Sequence, residues 1–407
     1  MNKITARLSA MMFLQFFIWG SWYTSIAIYM TTVGMADLTH WPYTVNPIAA
    51  ILAPFFVGLI ADRFFATQKV LATLHIIGGC VLFLTPEFSG QPTLFILALL
   101  VYNLCYMPTL GLSNSLAFHN ISNQEKQFPA IRVFGSIGWI IAGLFVSFGL
   151  GNIVVDIAEQ TPWPLYTAGA ASLILGLYTL TLPNTPPAAK GEKVSIKSIL
   201  GIDALKALGS KPFYVFLLSS FLICVPLAAY YNFTQLYLSS TGFKNIAGTQ
   251  TLGQMSEIIL MLLMPILFVR LGVKKMLLIG MLAWGVRYAL FALGAPGQIS
   301  WMIMIGVALH GICYDFFFVT GQIYVDKRSS DKIRGQAQGL LVFVTYGVGM
   351  LIGAQIAGEA YNWFLQDSTQ LTLDQWQSFW WLPAGMSIAV MIFFYLSFKD
   401  TKVDQKS

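Results

Sequence analysis

Charge is what this 407-residue chain has least of: Asp, Glu, Lys and Arg together make up 10% of it, against 57% hydrophobic and 14% aromatic residues. Soluble domains carry about 25% charged residues, so an ordinary water-soluble fold is excluded. A buried helical core is excluded too, because apolar runs of about 20 residues, the length that crosses a bilayer, recur along the whole chain. Cysteine is scarcer still. Cys80, Cys105, Cys224 and Cys313 each sit alone in an apolar run, which rules out a disulfide framework and a zinc site and leaves no metal to expect. Phosphate-binding glycine loops, metal-ligand clusters, nucleophile–base motifs and long extramembrane stretches are all missing. Neither an enzyme nor a receptor is therefore expected, and no cofactor. The pI near 9.0 reflects where the cations sit and gives no reason to expect a nucleic-acid partner.

What is present is a repeated apolar span. Twelve are expected, at about 8–30, 43–61, 70–86, 93–117, 131–150, 165–182, 213–237, 248–269, 275–293, 300–324, 335–358 and 378–398. The basic start, Lys3 and Arg7, leads into a long Trp-bearing run without an Ala-x-Ala site, so the first span reads as uncleaved and the mature protein should begin near Met1. With the N-terminus placed in the cytoplasm, Lys69, Lys126, the cluster from Lys190 to Lys211, Lys274, Lys275, Lys327 to Arg334 and Lys399 to Lys406 all fall inside. Of 23 Lys and Arg residues, only Lys244 then lies in an outer loop, which sets both termini in the cytoplasm. The stretch from Pro183 to Pro212 is polar and rich in Pro and Lys, and reads as a linker with a surface helix at Ser198 to Leu208. The expectation is an all-α membrane protein embedded in the lipid bilayer, its twelve helices arranged as two pseudo-symmetric six-helix halves, residues 1–183 and 213–407, joined by a cytoplasmic linker, 184–212.

Internal echoes support duplication. Asp62-Arg63-Phe64-Phe65 through Lys69-Val70-Leu71 recurs in part as Arg270-Leu271-Gly272-Val273-Lys274-Lys275-Met276, and Ile131-Arg132 recurs as Ile333-Arg334. Two six-span halves with short basic loops resemble the layout of major facilitator transporters, whose substrate sites lie near the midplane. Gly58-x-x-x-Asp62-Arg63 resembles that superfamily's conformational loop element, although the Gly-Arg-Arg usual downstream is replaced by Phe65-Ala66-Thr67-Gln68-Lys69.

Polar side chains inside the spans carry the functional reading. In Thr251 to Phe268, Gln254 and Glu257 stand three residues apart on one helix face. An uncompensated carboxylate at bilayer depth costs about 2.5 to 3.5 kcal/mol on insertion scales, so it marks a polar interior or a proton path. Arg132, Ser136 and Trp139, at i, i+4 and i+7, stack a cation, a hydroxyl and a flat aromatic on one face of span 5; the plainer reading has Arg132 snorkelling to headgroups. In span 10, His310 and Tyr314 share a face and Asp315 is a second intramembrane carboxylate. The plainer readings there are a His310 bonded to a neighbouring helix and an Arg287–Asp315 ion pair, since either charge alone would be left unpaired. Span 7 offers Tyr230, Tyr231, Asn232 and Gln235 beyond the helix-bending Pro226. Span 1 carries Gln15, Trp19 and Trp22, and span 4 carries Asn103, Tyr106, Pro108, Thr109 and Asn114.

Several of these stretches resemble the nucleoside:proton symporters of the major facilitator superfamily. They are Leu14-Gln15-Phe16-Phe17-Ile18-Trp19-Gly20-Ser21-Trp22, Tyr106-Met107-Pro108-Thr109-Leu110-Gly111-Leu112, Ile131-Arg132-Val133-Phe134-Gly135-Ser136-Ile137-Gly138-Trp139, Gly253-Gln254-Met255-Ser256-Glu257 and Tyr314-Asp315-Phe316-Phe317. The resemblance implies nucleoside import across the bacterial inner membrane by alternating access, with the proton gradient as energy source. Arg132, Ser136, Trp139, Gln254, Glu257, His310, Tyr314 and Asp315 match ligand-contacting or nearby positions. The chain departs from better-known members, which carry Thr, Phe, Tyr and Phe where Ser136, Trp139, His310 and Tyr314 stand, and has Ala228-Ala229-Tyr230-Tyr231-Asn232 where a Gln and an Asn are expected. Tyr230 and Asn232 join the candidate substrate contacts, and Glu257 and Asp315 are rival proton carriers, since loss of water favours a neutral carboxyl. A proton-coupled sugar symporter, drug efflux and Na⁺ coupling remain alternatives. The expected partners are a nucleoside, protons and lipid, and the expected state is a monomer.

Overall fold

The computed structural model describes residues 3–56, 64–153, 157–187, 197, 200–330, 333–366 and 368–399. Gly58, Asp62 and Arg63 of the expected conformational loop lie outside the described residues, as does most of 188–199. The described residues contain helices and no strand. Among the described residues, nine helical segments have the length and hydropathy to cross a bilayer. One of them is 49 residues long and holds a non-helical residue, Gly272, at φ 70° and ψ 172°, a backbone state that Gly adopts without a Cβ penalty. That kink divides the segment where spans 8 and 9 are expected. Trp41–Phe56 and Trp163–Thr179 stand where spans 2 and 6 are expected.

The chain divides into two compact units, Met1–Val194 with Lys244–Thr251, and Ser195–Phe243 with Leu252–Ser407. In the first unit α1 (Lys3–Tyr23), α2 (Ile26–Thr32), α3 (Trp41–Phe56), α4 (Thr67–Leu84), α5 (Pro92–His119), α6 (Gln124–Leu144) and α7 (Trp163–Thr179) follow in order. Helix α1 packs on α6 and α7, while α4 packs on α5 and α7. Without a hydrophobic drive between helices in lipid, polar bonds and close packing hold such a bundle. Asn46 donates to Asn103 at 2.9 Å, tying α3 to α5. The Gln15 amide donates to Thr109 at 2.7 Å, and its oxygen lies 3.0 Å from His75 Nε2, so one side chain ties α1, α4 and α5.

The second unit begins with a short helix, α8 (Ile202–Leu208), in the expected linker; Ser198 lies outside the described residues. Next come α9 (Lys211–Ser240), α10 (Ile246–Gly294), α11 (Ser300–Ala308), α12 (His310–Tyr314), α13 (Thr320–Arg328), α14 (Arg334–Val342), α15 (Met350–Leu365) and α16 (Leu373–Ser397). Helix α9 packs on α15 and α16, and α8 on α14. On α10, Leu262 and Val269 are each 76% exposed. Large apolar side chains bared in a row along a helix suit lipid and not water. Lys274 Nζ donates to the carbonyls of Tyr395 and Phe398 at 3.1 and 2.7 Å, satisfying the end of α16.

Among the described residues, three segments leave α geometry for the wider π turn: Phe145–Gly149 after α6, Asp315–Val319 between α12 and α13, and Phe343–Gly349 between α14 and α15. Such turns are frequent at functional sites. Each here contains a polar side chain with a specific position, namely Ser147, Asp315 and Tyr346.

Candidate functional site

The first unit presents the expected span 5 trio from well inside a helix. Helix α6 starts at Gln124 rather than at 131, so Arg132 lies more than two turns in. Its guanidinium sits 4.2 Å from the centre of the Phe16 ring on α1, a cation–π contact, and the residue is half-buried. One face further along, Trp139 meets Trp19 edge-on at 5.4 Å and Tyr23 at 6.1 Å. Trp19 in turn meets Tyr106 at 5.7 Å. Behind this aromatic wall is a polar hub. Tyr106 donates to the Gln15 carbonyl at 2.5 Å, and Ser172 donates to the His75 carbonyl at 2.8 Å. Gln15, His75, Thr109 and Ser172 are all buried, so their mutual bonds meet the demand that burial makes of polar groups.

A second polar feature of this unit lies at the first turn of α10. Glu159, 1% exposed, accepts from Ser147 Oγ at 2.6 Å and from the Ala247 amide at 3.1 Å, while the Gly248 amide donates to Ser147 Oγ at 2.8 Å. Two of the unsatisfied N–H groups at the helix start thus find partners, one of them a carboxylate suited to the positive helix end.

The second unit gathers more of the expected residues. Glu257 Oε2 lies 3.9 Å from His310 Nε2; the Glu257 side chain is 20% exposed and that of His310 3%. The two approach because α10 and α12 pack backbone to backbone at Gly311. A Cβ there would fall 2.6 Å from the Glu257 amide nitrogen, and the Gly311 N–H donates to Ser256 Oγ at 3.0 Å. His310 belongs to a column of flat groups. Its ring stacks on Tyr230 at 5.4 Å and on Tyr314 at 5.8 Å, and the Arg287 guanidinium lies 4.0 Å from the centre of the Tyr230 ring. Gln254 shares the Glu257 face one turn earlier, with its buried Oε1 unbonded among the described residues.

One expectation is not met. The Arg287–Asp315 ion pair is not formed: the terminal nitrogens of Arg287 and both carboxylate oxygens of Asp315 have no hydrogen-bond partner among the described residues. The cause is height along the helix. Arg287 Nε donates to the Gly306 carbonyl at 2.9 Å, and nine residues of rise, about 13 Å, separate Gly306 from Asp315. Asn232 lies on another face of α9 than Tyr230. Two residues on, it points about 200° around α9, fully buried with its amide unbonded among the described residues. One residue absent from the sequence reading joins the site. Tyr346, in the π turn after α14, donates its hydroxyl to that of Tyr314 at 2.7 Å.

Described residues that are helical without a strand, with apolar spans long enough to cross a bilayer and with buried carboxyl groups and aromatic columns, fit a multi-pass membrane transporter of the major facilitator type. The profile of the Nucleoside H⁺ symporter family matches residues 1–403, and the chain belongs to that family. It is 41% identical to YegT, a candidate nucleoside transporter of Escherichia coli, over 98% of this chain and 95% of that protein. It is 31% identical to the nucleoside permease NupG of Escherichia coli, with 98% and 96% covered. The crystal structure of NupG superposes with a TM-score of 0.87 at 30% identity, covering 98% of this chain and all of NupG. An auto-inhibited peptide transporter superposes with a TM-score of 0.73 at 14% identity, over 97% of this chain and 96% of that one, and shares the fold.

Proposed function

We propose that this protein imports nucleosides across a bacterial inner membrane, with proton movement down its gradient as the energy source and no cofactor, by exposing its site alternately to the two sides. Both termini are assigned to the cytoplasm by the asymmetry of Lys and Arg along the chain, and the working unit is a monomer. Membership of the nucleoside symporter family and its permease relatives favour nucleosides over sugars.

The observation that carries the coupling is Glu257 beside His310, 3.9 Å apart in a membrane-embedded helix pair. A carboxylate retained there has to be matched by function or by a partner, and its residual exposure leaves it reachable. Glu257 is assigned the transported proton, and Gln254, with a donor and an acceptor, a polar edge of the nucleoside. His310, Tyr230 and Tyr314 offer faces on which a base can stack. Arg132, Ser136 and Trp139 offer a second cation, hydroxyl and aromatic set suited to the same ligand class. Asp315 is the rival proton carrier.

The test is Glu257→Gln in proteoliposomes. Accumulation of labelled nucleoside against its gradient is expected to disappear while exchange of nucleoside for nucleoside persists. Full accumulation by the variant would transfer the proton to Asp315 or discard the coupling reading. Competition of uptake by whole nucleosides, but not by free ribose or disaccharides, separates the nucleoside from the sugar reading.

A further inference from the structure

Helix α10 carries a stripe of bared apolar side chains that ends in a cation. Ile259, Leu262, Ile266 and Val269 are each more than half exposed, and their spacing of three or four residues sets them along one side of the helix. Arg270 continues that side one turn beyond Ile266, and is exposed. From Ile259 to Arg270 the helix rises about 16 Å, close to one leaflet of a hydrocarbon core about 30 Å thick. The stripe thus has the length of an acyl chain laid against the helix, with a charge where a headgroup begins. The asymmetry of Lys and Arg along the chain assigns this end to the cytoplasmic side.

Two more cations gather at that end. Lys275, also exposed, follows the turn at Gly272 by three residues, so Arg270 and Lys275 flank the same turn. Lys327, at the end of α13, lays its ammonium 4.7 Å from the centre of the Phe268 ring, two residues before Arg270. Phe268 and Leu271 before the turn pack in one cluster with Ile279 after it and with Ile323 of α13, which brings the three cations to one end of the second unit. No acid answers them. Asp326, next to Lys327, pairs with Arg334 at 2.9 Å, and Arg270, Lys275 and Lys327 form no ion pair among the described residues. Lys274 differs, because the carbonyls that end α16 take up its ammonium.

We propose that the inner end of α10 is a binding site for an anionic phospholipid, its headgroup phosphate held by Arg270, Lys275 and Lys327 and an acyl chain lying along Ile266, Leu262 and Ile259. Cations unmatched by acids of the protein attract a negative headgroup, and the forked donors of Arg270 suit phosphate oxygens. The apolar stripe accounts for the other half of the ligand, which a soluble anion would leave uncovered. This site is independent of which solute the protein carries.

The experiment is thermal unfolding of the full-length protein in detergent, titrated with phosphatidylglycerol, phosphatidylcholine or glycerol phosphate. Phosphatidylglycerol is expected to raise the melting temperature saturably, as a ligand of the folded state does, and the other two to raise it little. With Arg270→Gln, Lys275→Gln and Lys327→Gln combined, the midpoint of that titration should move about a hundredfold higher, since each cation near an anionic lipid contributes about fivefold. The control combines Lys69→Gln, Lys206→Gln and Lys211→Gln, three exposed cations assigned to the same side, and should keep the wild-type midpoint. If the triple variant does not fold, Arg270→Gln alone should move the midpoint about fivefold. An unmoved midpoint in these variants, or no stabilisation by phosphatidylglycerol, overturns the site. So does an equal loss in the control, which shows diffuse attraction; equal stabilisation by phosphatidylcholine, which shows a lipid contact blind to charge; or full stabilisation by glycerol phosphate, which makes the ligand a soluble anion.

Discussion

Gly311→Ala is expected to damage both stability and transport through one methyl group. The added Cβ would meet the Glu257 amide nitrogen and the Ser256 carbonyl carbon at 2.6 Å and the Ser256 carbonyl oxygen at 2.8 Å. All three are backbone atoms and cannot swing aside as the tip of a flexible side chain can. Ordinary contact begins near 3.4 Å, so α10 and α12 must part locally by about 0.8 Å, in an interior packed too densely to absorb it. Overpacking of this kind costs about 1 to 3 kcal/mol, and the 3.0 Å bond from the Gly311 amide to Ser256 is stretched with it. For a unit of this size the melting temperature should drop by on the order of 5 °C. The same displacement carries Glu257 away from His310, so uptake should fall more than the stability loss alone explains. The matched control is Gly339→Ala on α14, where a Cβ meets nothing within 4 Å; there a more stable helix is expected, by about 0.4 to 1 kcal/mol. The assay is thermal unfolding of both purified variants in detergent beside nucleoside uptake. Equal melting temperatures for the two variants would refute the close-approach argument.

Two further perturbations test other parts of the structure. Glu159→Ala removes the carboxylate that meets the start of α10, and should cost about 0.5 to 2 kcal/mol; Glu159→Gln, which keeps an acceptor, should lose clearly less, as read by melting temperature. Arg287→Gln and Asp315→Asn should be additive within about 0.5 kcal/mol in unfolding free energy, because the two groups form no pair in the structure; a coupling of several kcal/mol would restore the ion pair.

Much of the fold was legible in the sequence, because a bilayer imposes one length on every span and composition alone exposes the repeat. Boundaries were less so. The start of span 5 was expected at 131, whereas α6 begins at Gln124; Gln124, Gln127 and Pro129 read as loop residues, yet a helix can run on beyond the apolar core. The polar residues of single helices were also legible, since spacing along one helix fixes a shared face, as for Gln254 with Glu257. Relations between helices were not. Arg287 and Asp315 look complementary as letters, but sequence does not give their relative height, and the guanidinium stops at Gly306. Tyr346 and His75 are lone polar letters in apolar runs, with no periodic companion to mark them. Their partners, Tyr314 and Gln15, are 32 and 60 residues away.

The π turns bear on how this chain can change by insertion and deletion. A π turn is a helix holding one residue more than α geometry uses. In most membrane helices removal of a residue turns everything beyond it by about 100°, sending lipid-facing side chains inward. At Phe343–Gly349 a single deletion can instead be absorbed by closing the surplus turn, leaving α14 and α15 with the faces they already present. What such a shortening would alter is local, the reach of Tyr346 toward Tyr314. Length variation in this helix is thereby directed to the site and kept out of the scaffold.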